Sequence, residues 1–444
     1  MIWLEITHIL TGGLLGGLLV ALIASSVREA KLRAAAIALG LLALLALIWV
    51  GGHLLAGSAP LILIIPPAGA GLLAVLVFAP LSRPTPQRTG DITEQVDERD
   101  TMFAREEYVP GTSKYTAYYA EHPELKAVDD RLRSLPGLLE PGGRFYEPEK
   151  AARVQAIFAA VKDMTTQVDG EVHPNQYEFD PASATEWIKR VTKRLGADDV
   201  GIARLDPMFV YSHVGRGPRP WGEPIENTHR YAIVFTLEMD YWAVETAPRI
   251  PTVEESALRY LHAANISVSL ARYIRRLGYP ARAHISDSNY QIMLPPVARD
   301  AGLGEIGRMG YLITPRLGPR VRLGAVTTDI PLTTDAPITF GVQDFCAVCR
   351  KCAVNCPSSA IPSGGKTIVR GAEKWLLNVG GCLHYWRHAG TDCGLCMRVC
   401  PYSHPPTFVH NVVRAAIKRS PVARRLAAWG DDLLYGSKPY REST

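Results

Sequence analysis

Phe345 to Pro357 reads FCAVCRKCAVNCP, with Cys346, Cys349, Cys352 and Cys356 spaced C-x2-C-x2-C-x3-C-P. This is the spacing of a bacterial [4Fe-4S] site, in which the fourth cysteine serves the neighbouring cluster. A second group, Cys382, Cys393, Cys396 and Cys400 followed by Pro401, accounts for the rest of the eight cysteines. The pattern assigns Cys346, Cys349, Cys352 and Cys400 to one cluster. It assigns Cys356, Cys382, Cys393 and Cys396 to the other. Soft thiolates suit iron. Zinc favours paired CxxC motifs over a triple followed by CP, and disulfides give no reason for this spacing. Two adjacent clusters make an electron wire, so another part of the chain is expected to receive the electrons.

The chain has 444 residues, a length that predicts two or three domains. A net charge of +5, scattered along the sequence, excludes an electrostatic footprint for nucleic acid. Apolar residues crowd the N-terminus. Residues 6–26, 34–57 and 59–81 hold no charged side chain, and each is near the ~20 residues that a helix needs to cross a bilayer. The start, MIWLEI, lacks the basic region of a signal peptide. Residues 1–82 are therefore expected to form a three-helix transmembrane anchor, with Pro66-Pro67 kinking the third helix. Arg28, Lys31 and Arg33 in the first connection, and Arg83 and Arg88 after the third span, predict an outside N-terminus and a cytoplasmic catalytic part. The expected location is the inner membrane, multi-pass.

Residues 83–110 read as a polar linker, and 108–148, rich in Pro, Gly and Tyr, as an irregular covering segment. Helical periodicity runs over 151–164, over 183–195 with Ser183 as N-cap, and over 253–277 with Gly278 as the stop. Strands are expected at 198–205, 231–237, 282–285 and 321–327. Alternating strands and helices predict an α+β fold of α/β character. The expected domains are 111–335 for catalysis, 336–410 for a ferredoxin-like pair of clusters, and 411–444 as a C-terminal segment. No G-x-G-x-x-G or P-loop occurs, so nicotinamide and nucleoside triphosphate sites have no support.

The segment GLGEIGRMGYLITPRLGPRVRL (302–323), then TDIPL (328–332), then the cysteine run, resembles the reductive dehalogenases, as does ERDTMFAR (98–105). The resemblance spans roughly 98–406. It implies base-off cobalamin, without a protein histidine ligand, in a domain similar to the nitroreductase fold and beside two [4Fe-4S] clusters. It also implies reductive cleavage of a carbon–halogen bond of an organohalide. The chain departs from respiratory members, which carry a twin-Arg signal and dock on a separate three-helix anchor; here that anchor looks fused to the catalytic part. The family's proton donor corresponds to Tyr260 in RYLHAANISVSLARYIRRLGYPA, and its basic helper to Arg322. A family Asn corresponds to Asn289 counting back from AGLGE, whereas counting forward from LGY reaches Ser286; Asn289 has the matching side chain. Met309, Tyr311, Tyr290, Trp242 and Trp386 are candidate pocket residues.

Reductive cleavage of such a bond consumes two electrons and a proton. Low-potential clusters can carry the electrons, and a tyrosine, with an ordinary pKa of about 10, holds its proton until needed. A neighbouring arginine stabilises the phenolate left behind. Membrane lipid and a quinol, ferredoxin or flavoprotein donor are the expected partners, with a homodimer left open. Two other readings compete. An epoxyqueuosine-reductase-like cobalamin enzyme predicts a soluble chain with a basic cleft. A membrane iron–sulfur electron-transfer subunit leaves some two hundred residues between anchor and clusters without a task.

Overall fold

The computed structural model describes residues 2–55, 63–87, 92–286 and 290–438. In chain order the main helices are α1 (Ile2–Arg28), α2 (Leu32–Leu55), α3 (Ile65–Phe78), α4 (Pro148–Asp163), α5 (Pro181–Arg194) and α6 (Ile250–Arg276). They continue as α7 (Val342–Cys349), α8 (Val379–Ala389), α9 (Phe408–Arg419) and α10 (Pro421–Tyr435). The main strands are β1 (Asp199–Arg204), β2 (Tyr231–Glu238), β3 (Ala281–His284) and β4 (Val321–Thr328). The chain divides into two compact units.

The larger unit comprises Gln87–Thr339 and Asn355–Ser403. Its sheet has the order β1-β2-β4-β3, and every pairing is antiparallel. The architecture is thus α+β, with an antiparallel sheet. Apolar residues cover both faces of the sheet, so its strands read as unbroken apolar runs of the kind parallel sheets carry. On one face Val200, Ile202, Ile233, Phe235 and Val326 pack against Ala263, Ile266, Leu270 and Ile274 of α6. On the other, Ala203, Ala232, Val234 and Ala325 pack against Leu294, Val297 and Ala298. Side chains alternate along a strand, so Arg322 shares the α6-facing side of β4 with Val326. Between them Gly324 leaves room for the Phe235 ring, since a Cβ there would lie 2.4 Å from Phe235 Cζ.

Element boundaries differ from the sequence reading where a local signal was misassigned. Asp180, not Ser183, caps α5: its carboxylate accepts the Ser183 N–H at 2.9 Å, and Pro181 occupies the first turn. The segment 108–148 is not irregular throughout, because Ser113–Glu121 and Pro123–Arg133 are helices. Thr112 caps the first, accepting from Tyr115 N, and Pro123 opens the second. Tyr108, Tyr115, Tyr118 and Tyr119 form a buried aromatic cluster there.

The smaller unit comprises Met1–Pro86, Phe340–Val354 and His404–Thr444. α1 and α2 form an antiparallel hairpin. His8 Nε2 lies 3.1 Å from Trp49 O, Trp49 Nε1 donates to His8 O at 2.8 Å, and the two rings stack at 5.4 Å. Both helices are long and apolar enough to cross a membrane, and only 6% and 11% of their most apolar stretches are buried. The expected third span, 59–81, is overturned among the described residues. α3 has 14 residues, about 21 Å at 1.5 Å per residue, short of the ~30 Å hydrocarbon core. Pro66 and Pro67 do not kink a longer helix; they open α3 in its first turn, where their missing N–H groups cost nothing.

α9 and α10 belong to this unit as well. Ser420 Oγ donates to Leu76 O at 2.6 Å. At the turn between α1 and α2, Glu29 is held by two histidines: His404 Nδ1 and His410 Nε2 each lie 2.8 Å from its carboxylate. His404 Nε2 lies 3.4 Å from Asp431, which also pairs with Lys351.

Candidate active site

Tyr260 and Arg322 meet in the larger unit. Tyr260 lies on α6, half-buried, and Arg322 on β4. The Arg322 guanidinium carbon stands 5.4 Å from the centre of the Tyr260 ring, within cation–π range. Arg322 Nη2 donates to Ser256 Oγ at 2.6 Å and lies 3.3 Å from Asp392 Oδ2. Ser256 Oγ in turn donates to the same carboxylate oxygen at 2.6 Å. Ser256 precedes Tyr260 by four residues and therefore shares its face of α6. Burial works against the charge on Arg322. The neighbouring Tyr260, Asp392, Tyr311 and Tyr290 outweigh it, and Arg322 holds its proton more tightly than usual.

Further phenols surround this pair. Burial pushes the Tyr290 hydroxyl up, and Tyr260, Arg322, Arg216 and Tyr211 act on it next. Burial likewise raises Tyr211 to about 12, with Glu98 and Arg216 beside it. Tyr311 is raised by burial first and by Cys396 second, with Arg322, Cys382 and Asp392 also near. Tyr211, Tyr260, Tyr290 and Tyr311 are all only half-buried, so these deeply embedded rings retain free surface. Glu98 is buried and accepts from Gly215 N at 2.9 Å, with Arg216 Nε at 3.4 Å. Burial raises the Glu98 carboxyl above its usual range.

The remaining candidates fall in different places. Met309 is buried. Trp242 is half exposed and packs edge-on against Tyr241 at 5.2 Å. Trp386 packs on Phe103 at 5.8 Å and hydrogen-bonds Cys382. Asn289 lies outside the described residues. Ser286, at the end of the described part of that loop, is half-buried.

None of the eight cysteines is in a disulfide. Cys356, Cys382, Cys393 and Cys396 belong to the larger unit. Burial raises the Cys396 thiol well above its usual value, and Cys393, Cys382 and Cys356 raise it further. Cys382 is pushed up to about 11, by burial first and then by Cys356. Thiols grouped this closely, Cys393 buried and the others partly so, fit a site that takes a cation or a metal cluster, because a bound metal stabilises several thiolates together. Backbone N–H groups aim at the sulfurs: Ala360 N donates to Cys356 Sγ at 3.3 Å, Leu395 N to Cys393 and Met397 N to Cys396. Such bonds tune cluster potentials. In the smaller unit, Cys349 is raised by burial and then by Cys346, with Cys352 also near, while Lys351 N donates to its sulfur. Cys400 is buried in the larger unit.

A 4Fe-4S dicluster domain matches residues 345–404. The tetrachloroethene reductive dehalogenase of Sulfurospirillum multivorans is 33% identical over 294 residues, covering 58% of this chain and 58% of that protein. Among solved structures, the catabolic reductive dehalogenase NpRdhA matches with 29% identity and a TM-score of 0.66, covering 81% of this chain and 49% of that one.

The chain is similar to the reductive dehalogenases over more than half of its length.

The chain spans little more than half the length of the curated relative it matches. An epoxyqueuosine reductase of Staphylococcus aureus matches over 110 residues, 24% of the chain, so that alternative is a distant one. The arrangement around Tyr260 and Arg322 also includes residues that sequence reasoning missed. Ser256 was detectable as the i−4 neighbour of Tyr260 on one helix face. Asp392 stands immediately before Cys393, but only the fold brings it to Arg322. Tyr211 and Arg216 carried no sequence signal, because they come from an irregular stretch between strands.

Outside this site, Glu29, His404 and His410 bring three ligand atoms within 4.8 Å of one another. These atoms are already engaged with one another, since both histidines contact the Glu29 carboxylate. Glu29 is held below the usual carboxylate range: burial opposes this, but the bonds to His404 and His410 prevail. Burial opposes a charge on His404 too, yet Asp431 and Glu29 raise its pKa. Glu29 and Asp431 face His404 and the Lys351 ammonium, and Asp432 stands 3.7 Å from the same ammonium. The group therefore acts as an ion-paired pin between the α1–α2 turn and the two C-terminal helices.

Proposed function

We propose that the chain is a membrane-anchored, corrinoid-dependent reductive dehalogenase that converts an organohalide, two electrons and one proton into the dehalogenated product and halide. The observation that carries this reading is the Arg322 guanidinium stacked over Tyr260, in the same unit as the four converging thiols of Cys356, Cys382, Cys393 and Cys396. Cys346, Cys349, Cys352 and Cys400 hold one [4Fe-4S] cluster, and Cys356, Cys382, Cys393 and Cys396 the other. A base-off cobalamin supplies the metal-centred reduction that side chains cannot perform. Support for its fit comes from the half-buried phenols around Arg322, which leave free surface inside the site. Arg322 Nε and Asp392 Oδ1 are also buried without a hydrogen-bond partner. Tyr260 donates the proton, and Arg322 stabilises the resulting phenolate. Asn289 belongs to the same site in this reading.

The anchor follows from exposure. Ile9, Leu10, Leu14, Leu39, Leu47 and Leu54 of α1 and α2 are all more than half exposed, and a contiguous apolar surface of this kind requires lipid or protein to cover it. Arg28, Lys31 and Arg33 at the turn favour a cytoplasmic turn and catalytic part. The electron donor is a quinol, a ferredoxin or a flavoprotein.

Detergent-purified protein tests the reading. Corrinoid absorption bands, together with about eight irons per chain as two four-iron clusters require, support it. Iron near four per chain, stoichiometric zinc, or the lack of corrinoid bands after reconstitution with cobalamin overturns it.

A further inference from the structure

We propose that Asp392 is a positioning residue for proton delivery: with Ser256 as the bridge, its carboxylate holds the Arg322 guanidinium against the Tyr260 ring. The inference rests on the assignment of Tyr260 and Arg322 as the proton-delivering pair. It adds the group that fixes their geometry and ties it to the loop carrying Cys393.

Three contacts define the device. Ser256 Oγ has one proton, and at 2.6 Å it gives it to Asp392 Oδ2. A lone pair of the same hydroxyl then takes the Arg322 Nη2–H at 2.6 Å. Asp392 Oδ2 also stands 3.3 Å from that nitrogen, so the carboxylate acts on Arg322 both directly and through the hydroxyl. All three side chains are largely shielded, with Arg322 15% and Asp392 10% exposed. A guanidinium there would be costly without its counter-charge. A free arginine side chain also samples many rotamers. Held by Nη2 at one end, it presents its flat face to Tyr260.

The anchor point is itself immobilised. Thr391 Oγ1 donates to Pro248 O at 2.5 Å and accepts from Cys393 N at 3.4 Å. Cys393 adopts a left-handed backbone with φ of +59°. The Asp392 backbone is thus pinned between the start of α6 and a cysteine of the second thiol group. Arg322 Nε and Asp392 Oδ1 keep unused hydrogen-bonding capacity, so the pair is oriented without being saturated.

The test uses the full chain in detergent, loaded with iron and corrinoid, as Asp392→Asn, Asp392→Glu and Ser256→Ala. Iron content, cluster EPR and corrinoid spectrum are measured first. A single 3-fluorotyrosine at position 260 then reports the environment of the ring by 19F NMR, with no substrate needed. Turnover of tetrachloroethene or 3-bromo-4-hydroxybenzoic acid, whichever the parent accepts, gives kcat, KM and the solvent isotope effect. Asp392→Asn is expected to shift and broaden the 19F line. It should also lower kcat about 10- to 100-fold, the loss of one charged hydrogen bond, at unchanged KM and with a larger solvent isotope effect. Asp392→Glu should recover part of both signals. Ser256→Ala, which leaves the cysteine loop intact, should reproduce the defect even if Asp392→Asn loses a cluster. An unchanged 19F line and kcat in Ser256→Ala with normal cofactor content would overturn the inference. So would a loss of kcat in the Asp392 variants that only tracks lost iron while Ser256→Ala keeps the parent kcat. A fully active Tyr260→Phe enzyme would instead overturn the underlying proton-donor assignment, while the 19F comparison still reads whether Asp392 orients Arg322.

Discussion

Tyr260→Phe removes one oxygen and keeps the ring that packs beside Phe158 at 6.4 Å. Folding and cofactor content should therefore persist, while dehalogenation falls by roughly 10²–10⁴-fold, the usual worth of general acid catalysis. Reduced-viologen assays alongside iron and corrinoid content check this, and normal turnover would redirect the search to Tyr290 or water. Arg322→Ala should be as severe, because the phenolate loses its partner and Asp392 is left buried without its counter-charge. Arg322→Lys should retain more activity, since a point charge remains although the flat guanidinium over the ring is lost. The double variant should be little worse than either single one if the two residues act as a unit. Cys349→Ser and Cys396→Ser should each lower iron to about half, because each removes a ligand from a different four-iron cluster. Equal loss of all iron from both variants would sink the pairing.

Helix ends and turns carry the next set of expectations. Asp180 caps α5 by accepting from Ser183 N, so Asp180→Ala should cost about 1 kcal/mol, whereas Ser183→Ala should cost much less. Thermal denaturation of the two variants decides between the cap seen in the structure and the one suggested by Ser183 in the sequence. The pin around Glu29 should make the docking of α9 and α10 depend on pH. The ordinary value for His404 is 6.5, and Asp431 and Glu29 raise it. Its contribution is present below 6.5 and is lost as pH rises through the raised value. The ordinary value for Glu29 is 4.5, and the folded value is lower, so its contribution is present above 4.5 and is lost as pH falls through the lowered value. His410, whose pKa burial depresses, adds loss on the acid side. Exchange protection in α9, corrected for intrinsic rates, should peak around neutral pH and fall on both sides. His404→Gln should remove the alkaline fall; a pH-independent protection would refute the pin.

At the level of the whole chain, orientation in the membrane is the open consequence. A periplasm-only reporter fused after Thr444 should be silent, and a cytoplasmic one active, if Arg28, Lys31 and Arg33 keep the α1–α2 turn inside. The opposite pattern would reverse the topology. The two cysteine groups, the apolar runs and the four strands were legible in the sequence because each is a local pattern: ligand spacing, hydrophobic run length, β-branched clusters. The resemblance to the dehalogenases pointed to Tyr260 in 259–281 and to Arg322 in 302–323 for the same reason, each in a contiguous motif. The third span failed as a reading because hydropathy counts apolar residues without asking where a helix begins, and Pro66-Pro67 opens α3 rather than bending it. The sheet direction was not legible, since burial on both faces erases the alternation that separates antiparallel from parallel strands. Ser256, Asp392, Tyr290 and Tyr311 meet around Arg322, and Tyr211 and Arg216 beside Tyr290, only through tertiary structure, as do Glu29 and His404, 375 positions apart. Contacts of that kind depend on strand register and helix packing, which no local pattern encodes, and they decide which charges are paired and which tyrosine faces an arginine.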